Sequence, residues 1–366
     1  MQDFKSGCAL QRVKTCRRRD PNLSSKTTPQ LSSNHPAIIE AVPNFSEGRD
    51  QHIIDAIAEA GASVSGARVL DVDSSPAANR TVITIAGGPE AVQEAAFRAI
   101  ATAARLIDMR AQAGVHPRIG ATDVCPLVPL SGFTMEETDA LAQALGQRVG
   151  AALDIPVYLY EHSQPQAHRR ALPHIRKGYY EGFAEKMRQE GWQPDYGPAT
   201  FNAATGATVV GARDVLVAFN ISLATQDVAL ANSIARRLRS AGSAGPDALL
   251  ATRAIGWYMA DYSQAQVSFN LLDYRTTSPL AAFEACRLLA LESGVEIAGS
   301  ELIGLMPEAC VLEAGACGLQ DAAGNSREAL ALAGVEHLML DKLKPFSLRG
   351  KILEYALEDA GMKDKG

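Results

Sequence analysis

The residue best suited to proton transfer in this sequence is His116. It lies in the segment Gly114-Val-His-Pro-Arg-Ile-Gly-Ala-Thr-Asp-Val-Cys-Pro126, whose glycines and prolines stiffen the backbone and which also carries Arg118 and Asp123. An imidazole titrates near neutral pH, with a reference pKa of about 6.5, so it can accept and return a proton. A surface histidine that makes a single turn hydrogen bond explains the same residues equally well, so the segment alone leaves both interpretations open.

Two carboxylates could support such a histidine. Asp71 and Asp73 lie two residues apart in Arg68-Val-Leu-Asp-Val-Asp73, which places both side chains on one side of a strand. One of them could orient an imidazole, as the carboxylate of a catalytic triad does. A metal-binding pair and a solvated strand end are the alternatives, and Arg80 across the following turn could simply balance the charge.

The glycine-rich stretch at residues 192–213 could admit a flat ligand. Its glycines and small residues allow close approach to the backbone, Tyr196 and Phe201 could supply ring contacts, and Arg213 could hold a carboxylate. A linker between two halves of the chain is the alternative, since the stretch lies near the middle of the sequence.

A third polar cluster occupies the turn Pro43-Asn-Phe-Ser-Glu-Gly48, which holds Asn44, Ser46 and Glu47. A helix cap at Ser46 would explain part of it, because serine oxygens accept hydrogen bonds from the N–H groups at a helix start. A cap does not account for Asn44, which therefore stays a candidate for binding.

Other chemistries find little support in the sequence. His162, His168 and His174 lie six residues apart, which does not place them on one helix face, and no HExxH spacing indicates a metal site. There is no Gly-x-Ser-x-Gly elbow, no GxGxxG and no phosphate-binding loop with its lysine. Cys125 sits beside Pro126 in an apolar run, which favours buried packing over a nucleophile. We therefore expect no metal.

The elements that must position these residues occur twice in the order β-α-β-β-α-β, at about residues 37–160 and 214–310. This order is typical of ferredoxin-like units, in which helices cover one face of a largely antiparallel sheet. We predict an α+β fold of two ferredoxin-like α/β subdomains side by side, with a ligand channel between them. Apolar patterning places strands at 37–42, 68–73, 81–85, 156–160, 215–220, 254–259 and 265–272, helices at 49–60, 92–107, 134–152, 226–240 and 278–291, and an irregular segment at 114–129.

Composition divides the chain into a tail and two subdomains. Residues 1–36 carry seven basic against two acidic side chains, together with Cys8 and Cys16, and predict a disordered basic tail. The N-terminal subdomain is predicted over residues 37–213. The C-terminal subdomain is predicted over residues 214–366, and it ends in two short helices after residue 320.

Charge and cysteine usage exclude several classes of partner. The 366 residues carry a formal net charge of −6, which argues against nucleic acid or an anionic membrane surface as a partner. No apolar run is long enough to cross a membrane. The six cysteines are scattered without CxxC spacing, which favours a reducing cytoplasm.

A collinear set of short motifs resembles the formiminotransferase domain family, which comprises the glutamate formimidoyltransferases and one half of the bifunctional formiminotransferase-cyclodeaminases. Each motif is weak alone, but together they run in order from about residue 42 to 305. The chain ends at residue 366, so a cyclodeaminase activity is not expected. The motifs are Val42-Pro-Asn-Phe-Ser-Glu-Gly48, Leu70-Asp-Val-Asp73, Asn79-Arg-Thr-Val82, Leu106-Ile-Asp-Met109, His116-Pro-Arg, Asp123-Val-Cys-Pro126, Pro156-Val-Tyr-Leu-Tyr160, Pro194-Asp-Tyr-Gly-Pro198, Gly206-Ala-Thr, Ala218-Phe-Asn220, Gly256-Trp-Tyr and Asn270-Leu-Leu-Asp273.

The resemblance implies transfer of the formimidoyl group from N-formimidoyl-L-glutamate to N5 of tetrahydrofolate, in histidine degradation. It implies two α/β subdomains, tetrahydrofolate as a co-substrate bound in the channel between them, and a homodimer. The family's catalytic histidine falls on His116, and its folate-binding segment falls on Gly197, Pro198, Ala199, Thr200, Phe201, Asn202, Ala203, Ala204, Thr205 and Gly206.

These implications suit the residues. A neutral His116 can accept the proton of N5 and pass it to the departing glutamate nitrogen, and Asp73 could hold its tautomer. Both ligands carry carboxylates, so we expect Arg80, Arg118 and Arg213 to bind them, and we also expect Asn44 and Glu47 to bind substrate. Three alternatives stay open: formimidoylglycine as the donor, a 5-formyltetrahydrofolate reaction, and a folate-binding protein without catalytic activity.

Overall fold

Two β-sheets, each with helices on one side, build the part of the chain that the computed structural model describes, residues 36–240, 245–319 and 324–362. The predicted basic tail lies outside these residues. The first sheet and its helices comprise β1 (Ile38–Ala41), β2 (Asn44–Phe45), α1 (Gln51–Ala62), β3 (Ala67–Ser75), β4 (Arg80–Gly87), α2 (Pro89–Leu106), β5 (Thr122–Ser131), α3 (Met135–Leu153), β6 (Val157–Leu159), α4 (Ala167–Arg170), α5 (Leu172–Arg176), α6 (Tyr179–Met187) and β7 (Thr208–Ala212).

The second sheet has four strands and lies in the second half of the chain. Its strands are antiparallel in the spatial order β11-β8-β10-β9, which is the ferredoxin-like arrangement. The elements are β8 (Val217–Leu223), α7 (Val228–Leu238), β9 (Thr252–Met259), β10 (Gln264–Leu271), α8 (Pro279–Glu292), β11 (Ile297–Ile303), α9 (Glu308–Gly318), α10 (Arg327–His337), α11 (Leu348–Lys351) and α12 (Leu353–Asp359).

The first sheet repeats this arrangement and then extends it. Strands β1 and β2 together lie between β4 and β5, and β3 pairs with the outer side of β4, so β1 to β5 form a second ferredoxin-like unit. Strand β7 adds to β5 in parallel, and β6 adds to β7 in parallel. The predicted α+β fold of two subdomains is therefore confirmed, and the parallel extension is an addition to it.

The prediction of an irregular segment over residues 114–129 is wrong in its second half. Residues Thr122–Ser131 form the central strand β5, which closes the first ferredoxin-like unit in place of the strand predicted at 156–160. Pro126 and Pro129 make this strand difficult to predict from the sequence, because proline cannot donate to a sheet ladder and is usually confined to edge strands and bulges. Strand β5 has a register shift against β1 beside Pro129 and a second one against β2 at Asp123, and Pro126 pairs with Gly211 of β7.

Several helix boundaries follow directly from the sequence. Helix α2 begins with Pro89 in its first turn and buries Val92, Ala96 and Ile100, as the apolar spacing predicts. Helix α3 has the predicted capping box of Thr134 and Glu137. The predicted cap at Ser46 is wrong.

Helix α1 is instead capped by Asp50, whose carboxylate accepts from His52 and Ile53 N–H. The Ser46 hydroxyl donates to the Gly120 carbonyl at 2.7 Å. Serine is therefore used here to tie the turn to a neighbouring loop.

The C-terminal helices connect the two halves. Helices α11 and α12 pass back to the first sheet, where Leu353 and Ala356 pack with Leu70, Leu130 and Leu305. The prediction of two short helices after residue 320 is wrong, since the described residues there form α10, α11 and α12. In the described ranges, no helix has both the length and the apolar character needed to span a bilayer.

Candidate active site

The helix-free faces of the two sheets meet around a cleft of about 710 Å³. Strand alternation sends every second residue into it: Ile83 and Ile85 of β4 pack into the helical core, whereas Val82 and Thr84 line the cleft. The first sheet contributes polar residues Glu40, Asn44, Asp73 and Arg80, and the second contributes Asn220, Trp257, Ser268 and Glu301.

His116 lines this cleft beside β4 and β5. Its Nδ1 lies 2.7 Å from the carbonyl oxygen of Pro117. A carbonyl oxygen only accepts hydrogen bonds, so Nδ1 carries the hydrogen and Nε2 is the unprotonated ring nitrogen. The site therefore holds an imidazole whose free nitrogen can accept a proton.

Trp257 of the second sheet contacts this imidazole across the cleft. The ring centroids of His116 and Trp257 are 5.9 Å apart and the planes are inclined by 62°. The indole is itself fixed, because its Nε1 donates to Gln266 at 3.0 Å. Both halves of the chain thus contribute to the surroundings of His116.

The electrostatic environment keeps His116 neutral. Burial lowers the pKa of the imidazole well below its usual value, and the nearby guanidinium groups of Arg80 and Arg176 lower it further. Asp123 opposes this effect but does not overcome it. A neutral imidazole is the form required of a general base.

One carboxylate joins the two arginines. Asp123 is fully buried and accepts from Nη1 of Arg80 at 2.8 Å and from Nη2 of Arg176. Burial acts to raise the pKa of Asp123, but Arg176 and Arg80 outweigh burial and hold that pKa below its usual value. Two guanidinium groups against one carboxylate leave a net positive charge beside His116, which favours an anionic ligand.

Local structure explains how this group is placed. Asn44 pairs with Val124 and Phe45 pairs with Thr122, so Asp123 is the extra residue of a β-bulge, a feature that re-aims side chains. The Asn44 side-chain oxygen accepts from both Nε and Nη2 of Arg80, at 3.1 and 2.7 Å. Asn44 thus lines the cleft and orients Arg80.

The backbone around Arg176 has its own anchor. The buried ammonium group of Lys186 donates to the carbonyl groups of His174, Ile175 and Lys177. Because these carbonyl groups flank Arg176, Lys186 fixes the end of α5 that presents the guanidinium group.

The expectation that Asp73 holds the histidine tautomer does not match the geometry, since the Pro117 carbonyl takes that position. Asp73 lines another edge of the cleft, where its carboxylate accepts from Lys351 Nζ at 2.8 Å and from Gly304 N at 3.1 Å. Asp71 also accepts from Lys351 at 2.8 Å. The two aspartates therefore connect the first sheet to the C-terminal helices.

The predicted substrate-binding residues separate into two groups. Arg80, Arg213 and Asn44 line the cleft. Arg118 does not line it, and donates to Glu181 and to the Gln112 carbonyl, each at 2.8 Å.

Glu47 is likewise turned away from the cleft. Its carboxylate accepts from the N–H groups of Gly48, Arg49 and Asp50 and from the Gln112 side chain. Glu47 therefore shapes the turn before α1.

The predicted folate-binding segment, residues 197–206, is not part of the lining of the cleft in the described structure. Phe201 packs against Tyr180 and Phe183, and the Asn202 side chain accepts from the N–H groups of Ala204 and Thr205. Tyr196 packs beside Gly146 of α3. Folate binding by this segment stays a prediction from the family resemblance.

Sequence reasoning missed Arg176, Trp257 and Glu40. Arg176 lies in a His- and Arg-rich helical stretch whose composition resembles a solvated surface, and only the fold brings it to Asp123. Trp257 falls in a resemblance motif without an assigned role. Glu40 could have been found from the sequence, because it is the single acidic residue in the apolar strand Ile38–Ala41. A strand of this composition is expected to be buried, and all four of its residues are.

Two further observations concern possible metal ligands and the thiol of Cys125 in the described residues. No group of three His, Cys, Asp or Glu side chains there is arranged to hold a metal ion. Cys125 is fully buried, and burial raises the pKa of its thiol to about 12. This matches the prediction of buried packing for Cys125.

Family models match nearly all of the described chain. The formiminotransferase domain, N-terminal subdomain, matches residues 38–213, and the formiminotransferase domain matches residues 218–358.

Curated relatives agree with these matches. The formimidoyltransferase-cyclodeaminase of Rattus norvegicus is 43% identical over 327 residues, which cover 88% of this chain and 60% of that relative. This chain thus spans about 60% of the length of such relatives. The glutamate formimidoyltransferase of Streptococcus pyogenes serotype M1 is 39% identical, covering 75% of this chain and 91% of the relative. That of Thermoplasma acidophilum is 41% identical, covering 76% and 90%.

Proposed function

This chain belongs to the formiminotransferase domain family, and from that membership we propose that it transfers the formimidoyl group of N-formimidoyl-L-glutamate to N5 of tetrahydrofolate. The products are 5-formimidoyltetrahydrofolate and L-glutamate, in histidine degradation. Tetrahydrofolate serves as a co-substrate in the cleft between the sheets. The observation that carries the proposal is the neutral His116, whose Nε2 is free in that cleft.

In this mechanism N5 of the reduced pterin attacks the amidine carbon of the donor. A C–N bond forms, and the tetrahedral carbon of the resulting intermediate carries three nitrogens: N5, the glutamate nitrogen, and the nitrogen that the formimidoyl group keeps. His116 accepts the proton of N5 at its Nε2 and returns it to the glutamate nitrogen, so that the C–N bond to glutamate breaks and an amine departs. Proton transfer of this kind contributes about 10²–10⁴ to the rate.

The low pKa of His116 assists the second half of this transfer. Burial and the two arginines make the imidazolium form unfavourable, so a proton taken from N5 is passed on readily to the departing nitrogen. The net positive charge of Arg80, Arg176 and Asp123 also suits a donor that carries carboxylates. Binding both substrates in one cleft provides the remaining acceleration by holding the reacting atoms in line.

Three further proposals complete this account. We propose a boundary between the subdomains near residue 213, where the first family match ends; the second match begins at residue 218. We propose a cytoplasmic enzyme, supported by the free buried thiols of Cys125, Cys286 and Cys310. We propose a homodimer on the family resemblance alone, and sedimentation of the purified chain tests it.

The experiment that tests the function mixes purified full-length chain with tetrahydrofolate and formimidoylglutamate, and follows the absorbance of the formimidoyl product. We expect turnover with formimidoylglutamate. Parallel reactions with formimidoylglycine and with 5-formyltetrahydrofolate plus glutamate separate the other transfer reactions. Pterin binding without turnover of any donor would contradict the proposal and favour a binding protein.

A further inference from the structure

A buried acid without a hydrogen-bond partner lies in the cleft away from His116. Glu40 of β1 is 5% exposed and lines the cleft, and no hydrogen bond to its carboxyl group occurs in the described residues. The charge of Arg213 acts on this carboxyl group, but the Arg213 guanidinium donates to the Asp214 carbonyl at 2.7 Å and also interacts with Tyr160. A buried carboxyl group without a hydrogen bond is costly, so a residue of this kind calls for a ligand.

An unpartnered hydroxyl lies on the neighbouring strand. Thr84 of β4 is 1% exposed and lines the cleft, and its Oγ1 has no hydrogen-bond partner in the described ranges. Glu40 is directly opposite Ala86 in the register of β1 and β4, which makes Thr84 its diagonal neighbour. Diagonal neighbours in a sheet are about 7–8 Å apart, so one small polar group can reach both side chains.

The position of this pair relative to His116 limits what it can bind. Along β1 and β2, Glu40 is four residues from Asn44, and along β4, Thr84 is four residues from Arg80. Four residues of a strand span at most about 13 Å. Glu40 and Thr84 therefore lie within about 13 Å of Asn44 and Arg80, which are beside His116. A bicyclic ring that makes a hydrogen bond at each of its two ends has about this length.

Both substrates contain a planar N–C–N group that a carboxylate can bind through two N–H donors. One is the amidine of the donor, and the other is the edge of the pterin formed by N3–H and the 2-amino group. The amidine carbon has to lie beside His116 to react. The pterin edge lies at the opposite end of the ring system from N5, so it points away from His116 when N5 is placed to react.

We infer that Glu40, with Thr84 beside it, holds the N3–H and 2-amino edge of the pterin ring and thereby sets N5 against His116. This inference rests on the proposed function for the identity of the ligand. Glu40 accepts two hydrogen bonds from the ring, and Thr84 provides a third polar contact. Glu40 is then a residue that determines specificity for pterins, and its carboxyl group gains the partners it lacks.

The test measures binding and so does not depend on turnover. The probes are 5-methyltetrahydrofolate, whose N5 is blocked, and its 2-desamino-2-methyl analogue, titrated calorimetrically into the full chain. The wild-type protein should bind the parent compound at least about tenfold more tightly than the analogue, because the analogue lacks one of the two donors to Glu40. Glu40→Gln should bind the parent about tenfold more weakly and should no longer distinguish the two probes.

Two further variants make the result specific. Thr84→Val should weaken binding of the parent about threefold without lowering thermal stability, because its hydroxyl has no partner to lose in the free protein. Glu90→Gln, an exposed change on α2, should bind both probes as the wild-type protein does.

Several outcomes would overturn the inference. Equal affinity of the wild-type protein for the two probes would do so, as would unchanged discrimination in a folded Glu40→Gln variant. If Glu40→Gln raised the KM for formimidoylglutamate and left the affinity for the pterin unchanged, the amidine would bind at Glu40 in place of the pterin. Pterin discrimination without any transfer would support this subsite while contradicting the proposed function.

Discussion

His116 donates its Nδ1 hydrogen to the carbonyl oxygen of Pro117, the next residue in the chain, at 2.7 Å. The tautomer is therefore fixed by the loop itself, and no carboxylate is required for it. An uncharged partner does not stabilise an imidazolium in the way an aspartate does. The arrangement thus keeps His116 neutral and its Nε2 available.

This environment predicts the pH dependence of the reaction. The pKa of His116 is lowered by burial and by Arg80 and Arg176, and the neutral form is the active one. Turnover should rise with pH through that pKa, so the acid limb of the kcat profile should lie below about pH 6.5. Removing a nearby cation in Arg176→Gln should shift the acid limb to higher pH. An acid limb above 6.5 in the wild-type protein would contradict the assignment.

Arg176 should also bind the donor. It lines the cleft and pairs with Asp123, which it shares with Arg80, so two guanidinium groups face one carboxylate beside His116. Arg176→Gln should raise the KM for formimidoylglutamate about tenfold or more and leave the affinity for 5-methyltetrahydrofolate within about twofold. Arg148→Gln is the matched control, because Arg148 is exposed on α3 and pairs with Glu94. If only pterin affinity fell, Arg176 would belong to the other substrate.

Much of the fold could be predicted because local and global signals agree. Apolar spacing, the proline at the start of α2 and the capping box of α3 all indicate the observed helices. Strand β5 escaped prediction because Pro126 and Pro129 are typical of loops, and its place depends on register shifts against β1 and β2. Such pairings are long-range and leave no pattern within the segment.

The candidate site was predicted only in part. His116 and Arg80 stand out by type and by turn context, and both line the cleft. Arg118 lies two residues from His116 yet faces Glu181, because neighbouring residues in a loop need not share a direction. Arg176 and Trp257 reach the site from distant segments, and only the packing of the two sheets brings them there.

The contact between Lys351 and the two aspartates should contribute to stability. Lys351 lies 2.8 Å from both Asp71 and Asp73, and all three side chains are largely buried. Lys351→Met should lower the free energy of unfolding by about 2–4 kcal/mol, because it leaves two carboxylates close together with only Lys344, 3.5 Å from Asp73, as a cation. Chemical denaturation measures this change.

A double variant separates charge from packing at this contact. Asp71→Asn combined with Lys351→Met should recover part of the lost stability, since one of the two repelling charges is removed. Lys342→Met is the control, because Lys342 forms an exposed pair with Asp341 and should change stability by less than about 0.5 kcal/mol. No recovery in the double variant would show that packing, not charge, accounts for the loss.

Glu40 should make stability depend on pH. Burial raises the pKa of this carboxyl group from 4.5 to about 7 in the folded chain. Folding therefore favours its protonated form, and the contribution to stability is present below about pH 4.5 and is lost as pH rises to about 7. Glu40→Gln should gain stability relative to the wild-type protein over this range, by up to about 3 kcal/mol at pH 7. Parallel pH profiles of unfolding for the two proteins would contradict this.

The most direct test of the central claim is the single-turnover rate of His116→Gln with both substrates saturating, beside the Kd of the variant for 5-methyltetrahydrofolate. Glutamine keeps a polar side chain but cannot exchange a proton. We expect the rate to fall by about 10²–10⁴ while the Kd stays within about twofold, and His52→Gln, an exposed change on α1, to match the wild-type protein. A His116→Gln rate within about threefold of the wild-type rate would contradict proton transfer by this imidazole.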